Sequence, residues 1–140
     1  METVDDIVGY QDPLNDLDKL CYFVIGAAIA VHNELGPGYA ESVYENAKCL
    51  ELAARGIAHD RQHEFMVFYR EQPVGKGRID ILVENILMVE IKSAESIASI
   101  FIAQTISYPR AKQLPLALLL NFNVRRLSDG VRRIANTRAK

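Results

Sequence analysis

The sequence predicts an α/β domain, because the spacing of its apolar residues changes from helical to strand-like and back along 140 residues. Two helical segments come first, three extended segments follow, and the remainder alternates between helix and strand. The predicted order is α-α-β-β-β-α-β-α, with a central mixed sheet of about four strands flanked by helices. We place one domain over residues 17–137 and an N-terminal tail over residues 1–16.

The first two predicted helices are separated by the sequence GPG at positions 36–38. Apolar residues recur at helical spacing from Leu17 to Leu35, and the glycines and proline then stop the run. A second helix is expected from about Tyr39 to Gly56, since glycine is a natural C-terminal cap. Its first turn carries Glu41, an acid that the helix dipole favours at that position.

Three extended segments follow, joined by short turns. They are HEFMVFY (His63–Tyr69), KGRIDILV (Lys76–Val83) and ILMVEIK (Ile86–Lys92), all rich in β-branched and aromatic residues. Glu84 and Asn85 are the expected tight hairpin connection between the second and third strands.

The last third of the chain is predicted to form a helix, a strand and a second helix. Ser96 is the expected N-cap of a helix over Ser96–Lys112. The continuous apolar run PLALLLNF (Pro115–Phe122) is typical of a strand covered on both faces. The final helix is placed around Ser128–Asn136.

The composition is that of an ordinary globular protein, with 49% hydrophobic and 24% charged residues. The longest apolar run, Cys21–Val31, is well short of the roughly 20 residues that a membrane span needs. The acidic N-terminus does not resemble an export signal. Cys21 and Cys49 fall in apolar helical patterns, which indicates buried thiols and a reducing, cytoplasmic location.

Basic residues are concentrated near the C-terminus, where residues 105–140 contain 8 Lys/Arg and the single acid Asp129. Such a segment either contacts a polyanion or is simply a solvated basic helix. If it binds nucleic acid, the candidate backbone contacts are Arg110, Lys112, Arg125, Arg126, Arg132 and Arg133.

Three charged residues lie in strands that otherwise look buried: Asp80, Glu90 and Lys92. Glu90 and Lys92 are two apart and share a strand face, whereas Asp80 joins them only if the connection has an odd length or a bulge. Two convergent carboxylates would suit Mg²⁺ or Mn²⁺, and an adjacent ammonium group would suit phosphodiester hydrolysis. The alternative is a surface Asp80 and an exposed Glu90–Lys92 salt bridge.

The segments RID and VEIK, which contain these three residues, resemble the signature of the PD-(D/E)XK nuclease superfamily. Gly38, Glu41 and Tyr44 spell G-x-x-E-x-x-Y. Together with IGAAIAVHNELGPG, LLLNF and DGVRRIAN, this motif resembles the small GxxExxY proteins of that superfamily. The resemblance covers about residues 17–136.

The resemblance implies a restriction-endonuclease-like fold and a Mg²⁺- or Mn²⁺-dependent nuclease, with DNA as the expected substrate. It assigns metal binding to Asp80, Glu90 and the backbone carbonyl of Ile91. Glu41 would complete or tune the metal site, and Lys92 would activate water or steady the transition state.

A further pair, Gln104 and Tyr108, spells Q-x-x-x-Y and resembles the motif of the RecB-like branch of these nucleases. Residues four apart share a helix face, so both could reach the edge of the site. Ordinary packing of the helix on the sheet explains them equally well. Pro109 follows directly and is expected to kink the helix.

Two other functions remain open from the sequence. One is a catalytically silent nuclease-fold protein that binds nucleic acid or a protein partner, and the other is a metal-dependent hydrolase of small phosphoesters. No separate recognition domain fits in 140 residues, so specificity would come from loops, a homodimer or a partner.

Overall fold

A computed structural model describes residues 2–4 and 16–137 of the chain. Most of the tail predicted for residues 1–16 lies outside the described residues. In chain order the elements are α1 (Asp16–Leu35), α2 (Glu41–Ala54), β1 (His59–Tyr69), β2 (Gln72–Val83), β3 (Leu87–Lys92), α3 (Ser99–Lys112), β4 (Leu116–Asn121), a short 3-10 helix (Leu127–Gly130) and β5 (Val131–Ala135).

The strands form one mixed sheet in the order β1-β2-β3-β4-β5. Strands β3 and β4 are parallel and are connected through α3, and every other neighbouring pair is antiparallel. The predicted α/β class is confirmed, and the arrangement is consistent with a restriction-endonuclease-like fold. The sheet has five strands instead of the predicted four.

Helices cover both faces of the sheet. Alternate residues of β3, namely Leu87, Val89 and Ile91, pack with α1 and α2, whereas Met88 packs on the other side with residues that lie near α3. We call these two sides the α1/α2 face and the α3 face. Because β3 and β4 are buried on both faces, their sequences are continuous apolar runs without alternation.

The predicted C-terminal helix is wrong. Its residues form the 3-10 helix and then β5, which pairs antiparallel with β4 through Val131 opposite Leu120 and Ile134 opposite Ala117. Val131 and Ile134 are half-buried and three residues apart, a spacing that looks helical when read alone. Pairing with the main chain of β4 overrides that local pattern.

Helix α3 begins later than predicted, at Ser99, and its N-cap is Ala98 instead of Ser96. The helix continues through Pro109 to Lys112. The carbonyl of Pro109 accepts a hydrogen bond from the amide of Leu114 at 2.8 Å, which closes the helix end onto the turn before β4.

Strands β1 and β2 are longer than predicted and form a hairpin that extends past the rest of the sheet. Only Ile81 to Val83 of β2 pair with β3, so the earlier residues of β2 pair with β1 alone. The ring of Phe65 lies over Gly77, where a Cβ atom would come within 2.4 Å of it. Glycine is therefore required for this close cross-strand contact.

Within residues 2–4 and 16–137, no helix has the length and apolar character needed to cross a bilayer.

Candidate active site

The site lies where β2 and β3 separate, and the hairpin register brings two acids together there. Val83 pairs with Leu87 and Ile81 with Val89, so the connection comprises three residues, 84–86, instead of the expected two. Continuing this register places Asp80 opposite Glu90. The odd-length alternative of the sequence analysis is therefore the one that the chain adopts.

Asp80 and Glu90 each bind the main chain of the opposite strand. The amide of Asp80 donates to Glu90 Oε1 at 3.0 Å, and the amide of Ile91 donates to Asp80 Oδ2 at 2.8 Å. Carboxylate oxygens thus take the place that carbonyl oxygens hold in a regular ladder. These bonds orient both side chains, and each uses one of the two oxygens of its carboxylate.

The strand is irregular at this point. Ile79 belongs to the core on the α3 face, whereas Ile81, two residues on, belongs to the core on the α1/α2 face. Residues two apart in a regular strand share a face, so the alternation breaks at Asp80. Gln62, whose neighbours pair with Ile79 and Ile81, has a positive φ of 51°.

Glu90 is unusually buried for an acid, with 6% of its surface exposed. Burial, and then the neighbouring Asp80 carboxylate, raise the pKa of Glu90 well above its usual range. Two carboxylates in a poorly solvated position repel each other unless a proton or a cation lies between them. The pair therefore favours binding of a positive ion.

The donors at this position suit a hard divalent cation. Asp80 and Glu90 supply carboxylate oxygens and Ile91 can supply its carbonyl, whereas no soft sulfur or imidazole ligand accompanies them in the described part of the chain. Among the residues that the structure describes, no group of three His, Cys, Asp or Glu side chains is placed to hold a metal. Glu41, the third acid expected from the sequence, does not join the pair.

Lys92 lies beside the acids, between a carboxylate and an aromatic ring. Its Nζ atom is 3.9 Å from Glu41 Oε1 and 3.6 Å from the centroid of the Phe101 ring. The Lys92 side chain is 14% exposed and that of Glu41 is 49% exposed. Since Lys92 pairs with Glu41 and Glu90 is buried, the alternative of an exposed Glu90–Lys92 salt bridge is not what the structure shows.

Glu41 is held in place by the turn that precedes α2. The fully buried Tyr44 donates its hydroxyl hydrogen to the carbonyl of Gly36 at 2.6 Å and accepts a hydrogen bond from the amide of Tyr39 at 3.2 Å. Its ring stacks on Phe122 at 4.7 Å with an interplanar angle of 11°. The tyrosine of G-x-x-E-x-x-Y thus anchors the turn that begins the helix.

Two polar residues that the sequence analysis did not select connect this turn to the end of β3. Ser93 donates its hydroxyl hydrogen to the carbonyl of Tyr39 at 2.5 Å. The side chain of Asn121, the β4 partner of Lys92, bonds both the amide and the carbonyl of Ala94. Two features of the sequence could have pointed to them: Ser93 directly follows Lys92, and Asn121 follows the apolar run of β4.

The two Q-x-x-x-Y residues lie on α3 with different surroundings. Tyr108 packs edge-on against Phe65 at 5.1 Å and belongs to the core on the α3 face. Gln104 is half-buried, and within the described residues no hydrogen bond joins it to the acids. Packing accounts for Tyr108, and a functional role for either residue stays a prediction.

The basic C-terminal segment does not form one continuous surface. Arg110 and Lys112 lie at the C-terminal end of α3, where the chain approaches the start of β4. Arg125 and Arg126 follow the other end of β4. Since β3 and β4 are parallel and Asn121 pairs with Lys92, Arg125 and Arg126 lie at the end of the sheet that holds the acids, whereas Arg110 and Lys112 do not.

The remaining two basic candidates are in β5. Arg132 and Arg133 are both exposed, and Arg133 forms an ion pair with Asp18 of α1 at 2.7 Å. Arg126 also has an acidic neighbour, Glu2, at 3.7 Å.

One known protein family matches most of the chain. The family model described as the PD-(D/E)XK nuclease superfamily matches residues 18–134, which span the fold from α1 to β5 except for the first two residues of α1 and the last residue of β5. The chain belongs to the PD-(D/E)XK nuclease superfamily. Members of this superfamily generally hydrolyse phosphodiester bonds and generally use divalent metals.

That Asp80, Glu90 and Lys92 occupy the signature positions of this superfamily stays a prediction that rests on the segments RID and VEIK. Searches of curated proteins and of solved structures gave no match to the chain. Membership in the GxxExxY group therefore stays a prediction that rests on Gly38, Glu41 and Tyr44.

Proposed function

We propose that this PD-(D/E)XK protein is a nuclease that cleaves phosphodiester bonds in DNA with the help of Mg²⁺ or Mn²⁺. One observation carries the proposal: the carboxylates of Asp80 and Glu90, from adjacent strands, each accept a hydrogen bond from a main-chain amide of the opposite strand. Holding two like charges close together in a poorly solvated position is costly, and binding of a cation would offset that cost.

The proposed metal ligands are Asp80, Glu90 and the carbonyl of Ile91. A bound divalent ion would polarise the scissile phosphate and lower the pKa of a coordinated water. The hydrogen bonds from the amides of Asp80 and Ile91 keep the two carboxylates oriented before any ion binds. Few protein ligands also suit Mg²⁺, which keeps several of its waters.

Lys92 is proposed to position the attacking water and to offset charge that develops on the phosphate. Its Nζ atom lies on the same strand face as Glu90, two residues away, so it can act on a phosphate held at the acid pair. Glu41 was expected as a metal ligand, and its contact with Lys92 supports a role in orienting that lysine. Gln104 and Tyr108 are proposed to line the substrate side of α3.

The second candidate function is a silent nuclease-fold module that binds nucleic acid without turnover. The observation that favours it is that two acids, not three, come together among the described residues. Calorimetry with Mg²⁺ and Mn²⁺ separates the two functions, because the silent module would bind nucleic acid and show no metal binding at millimolar concentration.

Incubation of the purified protein with linear, circular and single-stranded DNA and with RNA tests the proposal. Each substrate is given Mg²⁺, Mn²⁺ or EDTA. We expect metal-dependent cleavage of DNA by the wild type and none by Glu90→Gln or Lys92→Met. Glu34→Gln, which changes an exposed acid on α1, is the matched control and should cleave normally. Cleavage confined to RNA or to small phosphoesters would redirect the substrate assignment.

A further inference from the structure

The aromatic ring of Phe101 lies against the ammonium group of Lys92. The Nζ atom is 3.6 Å from the ring centroid, well inside the roughly 6 Å within which a cation is attracted by a ring face. The lysine side chain is only 14% exposed, so water competes weakly for the ammonium group. This cation–π contact is therefore expected to be stronger than one at a fully exposed site.

The ring is held in a fixed place relative to β3. Phe101 lies in the first turn of α3, where its amide donates to the carbonyl of Ala98 at 3.0 Å. The loop between Lys92 and this turn is tied down at its start, since Ser93 bonds Tyr39 and Asn121 bonds Ala94.

Two turns further along the same helix, Tyr108 packs edge-on against Phe65 of β1. Positions 101 and 108 are seven residues apart and share a helix face. This second contact packs α3 against the sheet, so the helix turn that carries Phe101 cannot move away from Lys92 without disturbing the core on the α3 face.

We infer that Phe101 is a positioning residue that seats the Lys92 ammonium group beside the acid pair, an inference that rests on the proposed function. A carboxylate partner neutralises the lysine and occupies its N–H donors, whereas a ring face attracts the charge and accepts no strong hydrogen bond. Glu41 and Phe101 together restrict the ammonium group and leave N–H donors for water and phosphate.

The kinetic test compares Phe101→Leu with Phe101→Tyr in the full chain. We expect Phe101→Leu to lower kcat by about 3- to 30-fold, the range that a cation–π contact of ordinary strength predicts, with little change in KM. Phe101→Tyr keeps the ring face and should retain kcat within about threefold. Ile100→Ala, at the exposed neighbouring position, is the control for general damage to the helix start and should behave as wild type.

Nuclear magnetic resonance of the metal-free protein tests the contact without any cleavage. The Lys92 Hε signals, assigned by their loss in Lys92→Met, should be shifted upfield by the ring in the wild type and in Phe101→Tyr, and should return to ordinary values in Phe101→Leu. Unshifted signals in the wild type overturn the inference. So does a folded Phe101→Leu enzyme that keeps the kcat of an active wild type. A wild type that shows the shift but cleaves no substrate overturns the proposed function while confirming the Lys92–Phe101 contact.

Discussion

The hydroxyl group of Tyr44 donates a hydrogen bond to the carbonyl oxygen of Gly36, 2.6 Å away, across the GPG turn that separates α1 from α2. The hydroxyl oxygen of Tyr44 in turn accepts a hydrogen bond from the amide of Tyr39 at 3.2 Å. The carbonyl of Tyr39 is in turn bonded by Ser93, which directly follows Lys92. The start of α2, with Glu41 as its first residue, is thereby tied to the end of β3.

We expect Tyr44→Phe to weaken both the fold and the site. The substitution keeps the stacking on Phe122 but leaves the Gly36 carbonyl and the Tyr39 amide without their partner, which should lower the free energy of unfolding by about 1–3 kcal/mol. A looser α2 start should also lower kcat, because Glu41 would hold Lys92 less firmly. Denaturant unfolding and cleavage rates measure the two effects.

Tyr39→Phe is the matched control for this prediction, since the Tyr39 side chain is half exposed and should change stability by less than about 0.5 kcal/mol. A Tyr44→Phe protein as stable as the wild type would show that the turn is held by packing alone.

Metal binding should release a proton from Glu90. Burial and Asp80 raise the pKa of this carboxyl, so it is protonated at a pH where an ordinary glutamate is ionised, and only the ionised form binds a divalent ion. The affinity for Mn²⁺ should therefore rise with pH, by up to about tenfold per unit below the pKa of Glu90. Calorimetry in buffers of different ionisation enthalpy counts the released protons.

For this measurement Glu90→Gln is the reference, because it cannot release the proton and should bind Mn²⁺ weakly at every pH. Equal affinity of the wild type at pH 6 and pH 8, with no proton released, would contradict the account.

The buried Lys48 should make stability depend on pH. Its side chain is fully buried, and its ammonium group donates to the carbonyl of Val24 in α1. Burial, followed by repulsion from Arg55, lowers the pKa of Lys48 from 10.5 to about 7. Between these two values the unfolded chain binds more protons than the folded one, so this group's contribution to stability rises with pH. Below about pH 7 the contribution no longer changes.

Lys48→Met removes this dependence. We expect the stability of the wild type relative to Lys48→Met to increase between pH 7 and pH 9, measured by urea unfolding in the presence of EDTA. Lys19→Met alters an exposed lysine of α1 and should give a stability difference that is flat over the same range. A flat difference for Lys48→Met as well would mean that the lysine remains charged inside the fold.

The two ends of the sheet should contribute unequally to DNA binding. Replacing Arg125 and Arg126 with alanine should raise KM for DNA and reduce the salt dependence of binding by up to about two counterions, because both residues follow the end of β4 nearest the acids. Replacing Arg110 and Lys112, which lie at the C-terminal end of α3 near the start of β4, should change neither KM nor the salt dependence by much. Fluorescence anisotropy over a salt series measures this, and equal effects of the two double variants would indicate a surface that wraps around the domain.

Most of the fold was predictable because β3 and β4 are buried on both faces and therefore read as uninterrupted apolar runs. The helical spacing of α1 and the GPG break were equally clear. Strand β5 was not predictable, since its half-buried residues Val131 and Ile134 mimic helical spacing and only the neighbouring β4 makes them a strand. The unpredicted ends of the β1–β2 hairpin, residues 59–62 and 72–75, are mostly exposed, so no alternation of buried and exposed residues marked them.

The acids of the site were predictable and their environment was not. Asp80, Glu90 and Lys92 stood out as charged residues in apolar strands. Whether Asp80 lies opposite Glu90, however, depended on whether the connection between β2 and β3 has two or three residues. The contact of Lys92 with Phe101 joins residues nine apart through a loop, and no local pattern reports such a distance. Phe101 does lie three residues before Gln104 on one helix face, which is the signal that the sequence offered.

Single-turnover cleavage of circular DNA tests whether Asp80 and Glu90 form the metal-dependent centre of a nuclease. Wild type and Glu90→Gln, each shown to be folded, are compared in Mg²⁺ and in EDTA. We expect cleavage by the wild type in Mg²⁺, arrest by EDTA, and a loss of rate of at least about 100-fold in Glu90→Gln, as for removal of a principal catalytic group. Cleavage by Glu90→Gln at the wild-type rate would contradict this assignment.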